Sequence, residues 1–383
     1  MKDNWTKVLL STAVVATLFT SCKPTPDTDT PFPQAISPSV FMASQNQFVY
    51  AIDPTTGLKK WECFINANIE SSPYLYGGTL FVGNSSSLLF KLDPNTGART
   101  QSKIAFPLGI TTNPIGDENY LYVASGSTIT CIDIKPDTVE WTYTAGGPIN
   151  SSPTIRDTQL VFGCDDGFVY MLDKRSNPAK VPNLIWKSAN YSTQFRSSAT
   201  MDDTYIYIGA NDFNMYALNR KDGAVKWTFG TDAPVISSPL VYGGNVIFGS
   251  DDSYLYCLEN ITGLPRWTMK ADDRIRSSPY LNLPAQTLFV GSYDKGFYAV
   301  NALDGTVKWR FNTGGLIAAS PVIYKDNVYI GSYDKNLYGI DMATGKAIWK
   351  YAINGLMDCS PSIDANTSNG NGVHSTVSGS SIY

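Results

Sequence analysis

Seven of the eight tryptophans, Trp61, Trp141, Trp186, Trp227, Trp267, Trp309 and Trp349, recur at intervals close to 40 residues, and Gln101 occupies the one missing beat. The eighth, Trp5, lies in a leader. A fixed period of this size, in a chain of short β-branched and aromatic runs, is the mark of a radial or solenoidal array, because each unit buries its apolar face only against its neighbours.

Aligned on these beats, the unit reads Ser-Ser-Pro, a short strand, a second strand ending in Gly-Ser, a turn with Asp, a third strand ending in an acidic or amide residue, Thr-Gly, and then the Trp. Unit six shows it whole: Ser237-Ser238-Pro239, Val246–Ser250, Asp251-Asp252, Tyr254–Glu259, Thr262-Gly263 and Trp267. The end-of-strand position is Asp53, Asp93, Asp133, Asp173, Asn219, Glu259, Asn301 and Asp341. In seven units the Trp or its Gln substitute follows eight residues later, and in the fourth it follows after thirteen. Each unit holds four strands by period-2 runs and turn punctuation, and none shows helical spacing. Four antiparallel strands per unit make a propeller blade. Asp or Asn before Thr-Gly bonds its own backbone while Gly takes φ > 0, so these polar residues read as turn formers. The Trp falls on the outermost strand, where a large flat ring covers the seam to the next blade, each such burial contributing roughly 2–3 kcal/mol.

Inner strands begin near Ser71, Thr112, Ser151, Ser197, Ser237, Ser277, Ser320 and, after the last Trp, in Cys359-Ser360-Pro361-Ser362-Ile363. The unit ending at Trp61 lacks an inner strand of its own. The expectation is therefore an all-β fold, an eight-bladed β-propeller of four-stranded antiparallel blades closed by pairing of N- and C-terminal strands in one blade. Val373–Tyr383 adds or replaces a second strand there, and the sequence leaves both open.

The segment Ala51-Ile52-Asp53-Pro54-Thr55-Thr56-Gly57-Leu58-Lys59-Lys60-Trp61, nearly repeated in Gly339–Trp349, resembles the blade motif of the eight-bladed pyrroloquinoline-quinone (PQQ)-type repeat family, related in form to WD40-like repeats. The resemblance covers residues 37–383. It is specific for fold and not for chemistry, since the family includes quinone dehydrogenases and catalytically silent members.

Lys2 and Lys7 precede the apolar run Val8–Phe19, too short to span a bilayer, followed by Thr20-Ser21-Cys22. Small residues before Cys at the end of such a run resemble a bacterial lipobox. The organisation expected is a lipoprotein signal peptide over 1–21, a Pro-rich tether over 22–36 lipidated at Cys22, and the propeller over 37–383. No Asp follows the Cys, which resembles outer-membrane sorting.

Loss of residues 1–21 takes Lys2, Lys7 and Asp3 from 29 basic and 33 acidic residues, leaving 27 against 32 and a net charge of −5. That balance argues against nucleic acid and against adhesion to anionic lipid, so the membrane contact expected is the anchor only, under a monomeric body. Cys63, Cys131, Cys164, Cys257 and Cys359 show no CxxC spacing and read as small buried side chains.

Dehydrogenases of the family resemble longer chains with an adjacent Cys-Cys pair, a Ca²⁺ held by Glu and Asn, and a catalytic Asp. None of these matches a residue here, and the one histidine is His374. PQQ with Ca²⁺ is therefore disfavoured, no cofactor, metal or catalytic set is assigned, and an enzyme is not expected. The resemblance implies instead a non-catalytic binding or scaffolding lipoprotein, similar to the propeller subunit of the outer-membrane β-barrel assembly machinery. The alternatives are a surface receptor for a glycan or peptide and, further off, a PQQ-dependent dehydrogenase. A binding site is expected on the face formed by the loops before the inner strands and the turns after Gly-Ser, where the repeat stops repeating. Its candidate residues are Glu70, Asn150, Arg196, Arg276, Tyr293, Tyr333 and Asp358. The rival is the opposite face, where the fourth unit inserts Lys174, Arg175 and Lys180.

Overall fold

The computed structural model describes residues 36–102, 104–176 and 181–363, and the leader, Cys22, Lys180, His374 and Val373–Tyr383 lie outside the described residues. Eight four-stranded antiparallel sheets are arranged as blades, with no helix among the described residues. Blade 6 is representative: Leu240–Tyr242 innermost, then Asn245–Gly249, Tyr254–Glu259 and Pro265–Lys270. Blade 1 is stitched as expected: Ser362–Ile363 pairs with Val40–Ala43, followed by Phe48–Ile52 and Lys59–Phe64.

Two contacts repeated around the ring hold the blades to one another. The first is a closed belt near the axis. The backbone N–H of Ser72 donates to Asn113 Oδ1, that of Asn113 to Ser152 Oγ, and so on through Ser198, Ser238, Ser278, Ser320 and Ser360, whose N–H returns to Ser72 Oγ, at 2.7–3.1 Å. Each second residue of the Ser-Ser-Pro triplet thus donates to one neighbour and accepts from the other. Satisfied pairs of this kind contribute about 1 kcal/mol each, and an orphaned buried N–H costs more. Only Ser360 completes the circle, which is why the C-terminal segment belongs in blade 1.

The second contact is the seam. Each of the seven repeat tryptophans donates its Nε1–H to the carbonyl of the residue after the next blade's end-of-strand polar residue: Trp61 to Pro94, Trp141 to Lys174, Trp186 to Arg220, Trp227 to Asn260, Trp267 to Ala302, Trp309 to Met342 and Trp349 to Pro54, at 2.8–3.2 Å. In six seams the ring also lies flat on the glycine of the next Thr-Gly or Asp-Gly turn. An added Cβ at Gly97 or Gly305 would stand 2.6 Å from the indole, and both have φ near +70°. Glycine is required there twice over, for the left-handed turn and for the approach of the ring. The Trp set is structural, as the sequence reading holds. The end-of-strand Asp residues are turn formers: Asp53 Oδ1 accepts from the N–H groups of Thr55 and Thr56, and Asp341 Oδ1 from that of Thr344.

The missing beat differs in register. Each Trp-bearing blade has a β-bulge directly after the residue facing the Trp, as between Ala51 and Ile52. Blade 2 pairs Phe90 with Gln101 and Lys91 with Thr100 without one, so Gln101 sits one position out of the tryptophan register. At the seam it leaves, Asp137 (φ 56°) takes the place of the turn glycine, and its carboxylate meets Lys91 Nζ and Ser102 Oγ at 2.8 and 2.9 Å. An ion pair here does the work of an indole.

Candidate functional site

Strand alternation puts the loops before the inner strands and the turns between second and third strands on one face, around the axial mouth. Much of that face is committed to structure. In blades 4 to 8 the Asp at the second position of the turn accepts from a tyrosine four residues on: Tyr170 to Asp166 (2.6 Å), Tyr216 to Asp212 (2.6 Å), Tyr256 to Asp252 (2.8 Å), Tyr298 to Asp294 and Tyr338 to Asp334 (2.5 Å). Burial alone would raise the Asp294 and Asp334 carboxyls, but these tyrosine and backbone donors outweigh it and hold them below the usual range.

The residues named from the sequence lie on this rim and fall into groups. Arg276 forks onto Asp251 of the preceding blade, Nε to Oδ1 at 2.8 Å and Nη2 to Oδ2 at 2.6 Å, with its guanidinium 5.4 Å from the centre of the Tyr293 ring. The Asp251 hydrogen bonds raise the Arg276 pKa. Asn150 Nδ2 (2.8 Å) and Arg196 Nη2 (3.5 Å) converge from adjacent blades on Asp165 Oδ2. Asp358 accepts from Gln45, and burial pushes its carboxyl above the usual range. Glu70 is exposed and Tyr333 half-buried, each apart from these groups. The sequence reading missed Asp165, Asp251 and Gln45. The signal was available: the residue directly after the Ser, Cys or Ala that closes the second strand is Gln45, Asp165, Asn211, Asp251, Tyr293 or Tyr333, as variable as the positions that were singled out.

Four buried Asn and Asp side-chain atoms on the rim lack a partner: Asn84 Nδ2, Asp165 Oδ1, Asn211 Oδ1 and Asp358 Oδ1. They belong to blades 2, 4, 5 and 1, so that only Asn211 and Asp358 lie four blades apart in the ring of eight. A desolvated amide or carboxylate without a partner is costly, so these atoms take water or the polar groups of a ligand.

On the rim Asp165 is held by asparagine and arginine, Asp251 by arginine and Asp166 by tyrosine, and no three metal-binding side chains cluster among the described residues. The five described cysteines are buried and unpaired with one another, the thiols of Cys164, Cys257 and Cys359 pushed up to about 12 by burial.

On the opposite face, the lengthened turn of blade 4 borders a cavity of about 760 Å³ between blades 3 and 4, lined by Asp117, Glu140, Trp141, Arg156, Lys174 and Arg175 among others. The inserted cations are paired within it: Lys174 with Asp117, and Arg175 with Asp173 at 2.6 Å.

A family model described as outer membrane protein assembly factor BamB matches residues 100–177, 182–256 and 243–368. No curated protein matches the sequence significantly. Among solved structures, BamB from Moraxella catarrhalis is 18% identical with a TM-score of 0.64, covering 78% of this chain and 92% of that one. Sqt1 of Saccharomyces cerevisiae (13%, TM-score 0.66, 76% and 86% covered) and a europium-containing methanol dehydrogenase (10%, TM-score 0.65, 77% and 80% covered) share the fold alone at these identities.

Proposed function

We propose, from the premise that the chain belongs to the family of outer membrane protein assembly factor BamB, that it is a non-catalytic scaffolding protein of the bacterial cell envelope, held to the outer membrane by a lipid on Cys22 and binding a protein partner in outer-membrane protein assembly. The observation that carries this reading is the division of labour in the ring. The belt serines, the end-of-strand Asp residues and the tryptophans have turn, belt or seam duties, whereas Glu70, Arg196, Arg276, Tyr293, Tyr333 and Asp358, which the repeat does not dictate, gather at the axial mouth. Positions without blade duties are where a rigid scaffold carries specificity.

Affinity purification of the protein from its own envelope tests this reading. The β-barrel assembly complex should co-purify, and Tyr293→Ser with Tyr333→Ser should reduce its yield with no change in melting temperature. Recovery without that complex overturns the assembly role. Mass spectrometry should find a diacylated Cys22 at the mature N-terminus, and a mature N-terminus elsewhere removes the anchor. Incubation with PQQ and Ca²⁺ should give neither bound quinone absorbance nor dye-linked oxidation.

A second reading, a receptor for a glycan or peptide, is favoured by the four unpartnered rim atoms, three of them acceptors suited to hydroxyl or amide donors. An oligosaccharide that raises the melting temperature, an effect lost in Asp165→Ala, would decide for it.

A further inference from the structure

The face opposite the mouth divides into two halves. The turn position two residues after the end-of-strand polar residue is Thr55, Asn95, Lys135, Arg175 and Lys221 in blades 1 to 5, and Ile261, Leu303 and Ala343 in blades 6 to 8. The position after the turn glycine is Leu58 in blade 1 and Leu264 in blade 6, where other blades carry Ala98, Ala224 or Lys346. These tips stand out into solvent: Leu58 and Leu303 are 69% exposed, Leu264 63% and Ile261 56%. Leu283, on the same face of blade 7, is 36% exposed. The polar residues at equivalent positions show that the turns do not need leucine. Blades 6, 7, 8 and 1 are consecutive, so the apolar tips lie in an arc along one side of this face, with Ala343 and Lys346 of blade 8 between Leu303 and Leu58, and a clustered exposed apolar surface marks a contact.

The start of the described chain lies at the end of that arc. Ser37 N–H donates to Asn95 Oδ1 (2.9 Å) in the lower turn of blade 2, while Lys60 Nζ donates to Ser37 Oγ (2.8 Å) and to the Pro38 carbonyl (2.6 Å). The chain therefore leaves the propeller beside Leu58, on the apolar face and away from the mouth. Fourteen residue-to-residue steps lead from Cys22 to Ile36, a reach of at most about 50 Å. A leash this short holds the face near a bilayer at roughly millimolar effective concentration, enough for a weak apolar contact to persist. Three ion pairs place opposite charges beside the tips, Lys59 with Glu62 (2.8 Å), Lys60 with Asp53 (3.9 Å) and Arg266 with Glu259 (3.2 Å), a mixture that suits zwitterionic headgroups.

We propose that the arc of Leu58, Ile261, Leu264 and Leu303 rests in the headgroup region of the membrane to which the chain is anchored, so that the axial mouth faces away from the lipid. The proposal rests on the reading of Cys22 as acylated and goes beyond the expectation that the anchor is the chain's only membrane contact. It gives the anchored body a fixed orientation: the partner-binding mouth is presented to the aqueous side.

The test uses the acylated full chain in phosphatidylcholine–phosphatidylethanolamine vesicles carrying a nitroxide-labelled lipid. An environment-sensitive fluorophore is placed in turn on Leu264→Cys, Leu303→Cys, Lys221→Cys and Phe213→Cys, the last on the mouth face and 45% exposed. The proposal expects probes at Leu264 and Leu303 to shift to the blue and be quenched at least threefold more than those at Lys221 and Phe213. Equal quenching at all four overturns it, and a blue shift without lipid quenching assigns the arc to a protein and also overturns it. A second arm keeps the anchor separate: the full chain with Cys22→Ser should float weakly with the same vesicles, and Leu264→Ser with Leu303→Ser should reduce that partition about tenfold, about 0.7 kcal/mol per lost side chain. An unacylated Cys22 removes the anchor reading and leaves this arm standing. Flotation unchanged by the double substitution sinks the arc.

Discussion

Gly305→Ala isolates the seam that the repeat was built around. Gly305 has φ +75°, and an added Cβ would stand 2.6 Å from Trp267 Cε3. Gly244, in the turn between the first two strands of blade 6, has φ +76° but open space, its nearest atom being Asn260 Oδ1 at 3.9 Å. Both substitutions force alanine into the left-handed region, at a cost of about 1 kcal/mol. Only Gly305→Ala must also displace the indole, an overpacking cost of roughly 1–3 kcal/mol, and in moving, Trp267 weakens its 3.2 Å hydrogen bond to the Ala302 carbonyl. Gly305→Ala should therefore lose about 2–4 kcal/mol and Gly244→Ala about 1. Equilibrium urea unfolding followed by tryptophan fluorescence reads the difference from the shift in midpoint at constant slope. Trp267→Leu should cost less in the Gly305→Ala background than alone, because there it also relieves the clash. Equal losses at Gly305 and Gly244, or strict additivity with Trp267→Leu, would refute the view that the glycine is there to admit the ring.

Three further outcomes follow from other contacts. Lys91→Met should cost about 1–3 kcal/mol by urea unfolding, since it removes the ammonium 2.8 Å from the mostly buried Asp137 carboxylate at the seam that lacks a tryptophan; no loss would mean that the pair carries nothing. Arg276→Ala leaves Asp251, 6% exposed, without its fork and should cost about 3 kcal/mol, whereas Arg196→Ala, holding Asp165 at 3.5 Å beside Asn150, should cost under 1; thermal denaturation of the two variants side by side checks the order. Asp358 has its folded pKa raised by burial, so the wild type is favoured at low pH and gives up stability as pH rises from the unfolded value through the folded one. Asp358→Asn should therefore stabilise the protein at neutral pH, with the gain vanishing near pH 3, and a gain independent of pH would contradict the assignment.

The sequence by itself determined the ring. A 40-residue period, four short strands per unit and one inner strand displaced to the C-terminus leave little besides eight blades closed in blade 1, because each of these is a local pattern repeated along the chain. Leu58, Ile261, Leu264 and Leu303 stood in the sequence just as plainly, but their turns looked merely like turns. What only the tertiary structure decided lies between blades. The belt from Ser72 to Ser360 joins residues about 40 apart, and its meaning appears only when the last member meets the first. The Gln101 register depended on a missing bulge, which eight-residue counting cannot see. Arg276 and Arg196 looked like open charges on a rim until Asp251 and Asp165 of the preceding blades met them, and Leu58 became part of a surface only when Ser37 was placed beside it and blades 6 to 8 came round to its side. Period and turn chemistry are written in neighbouring residues, whereas the partner of a side chain across a seam is set by closure of the whole ring.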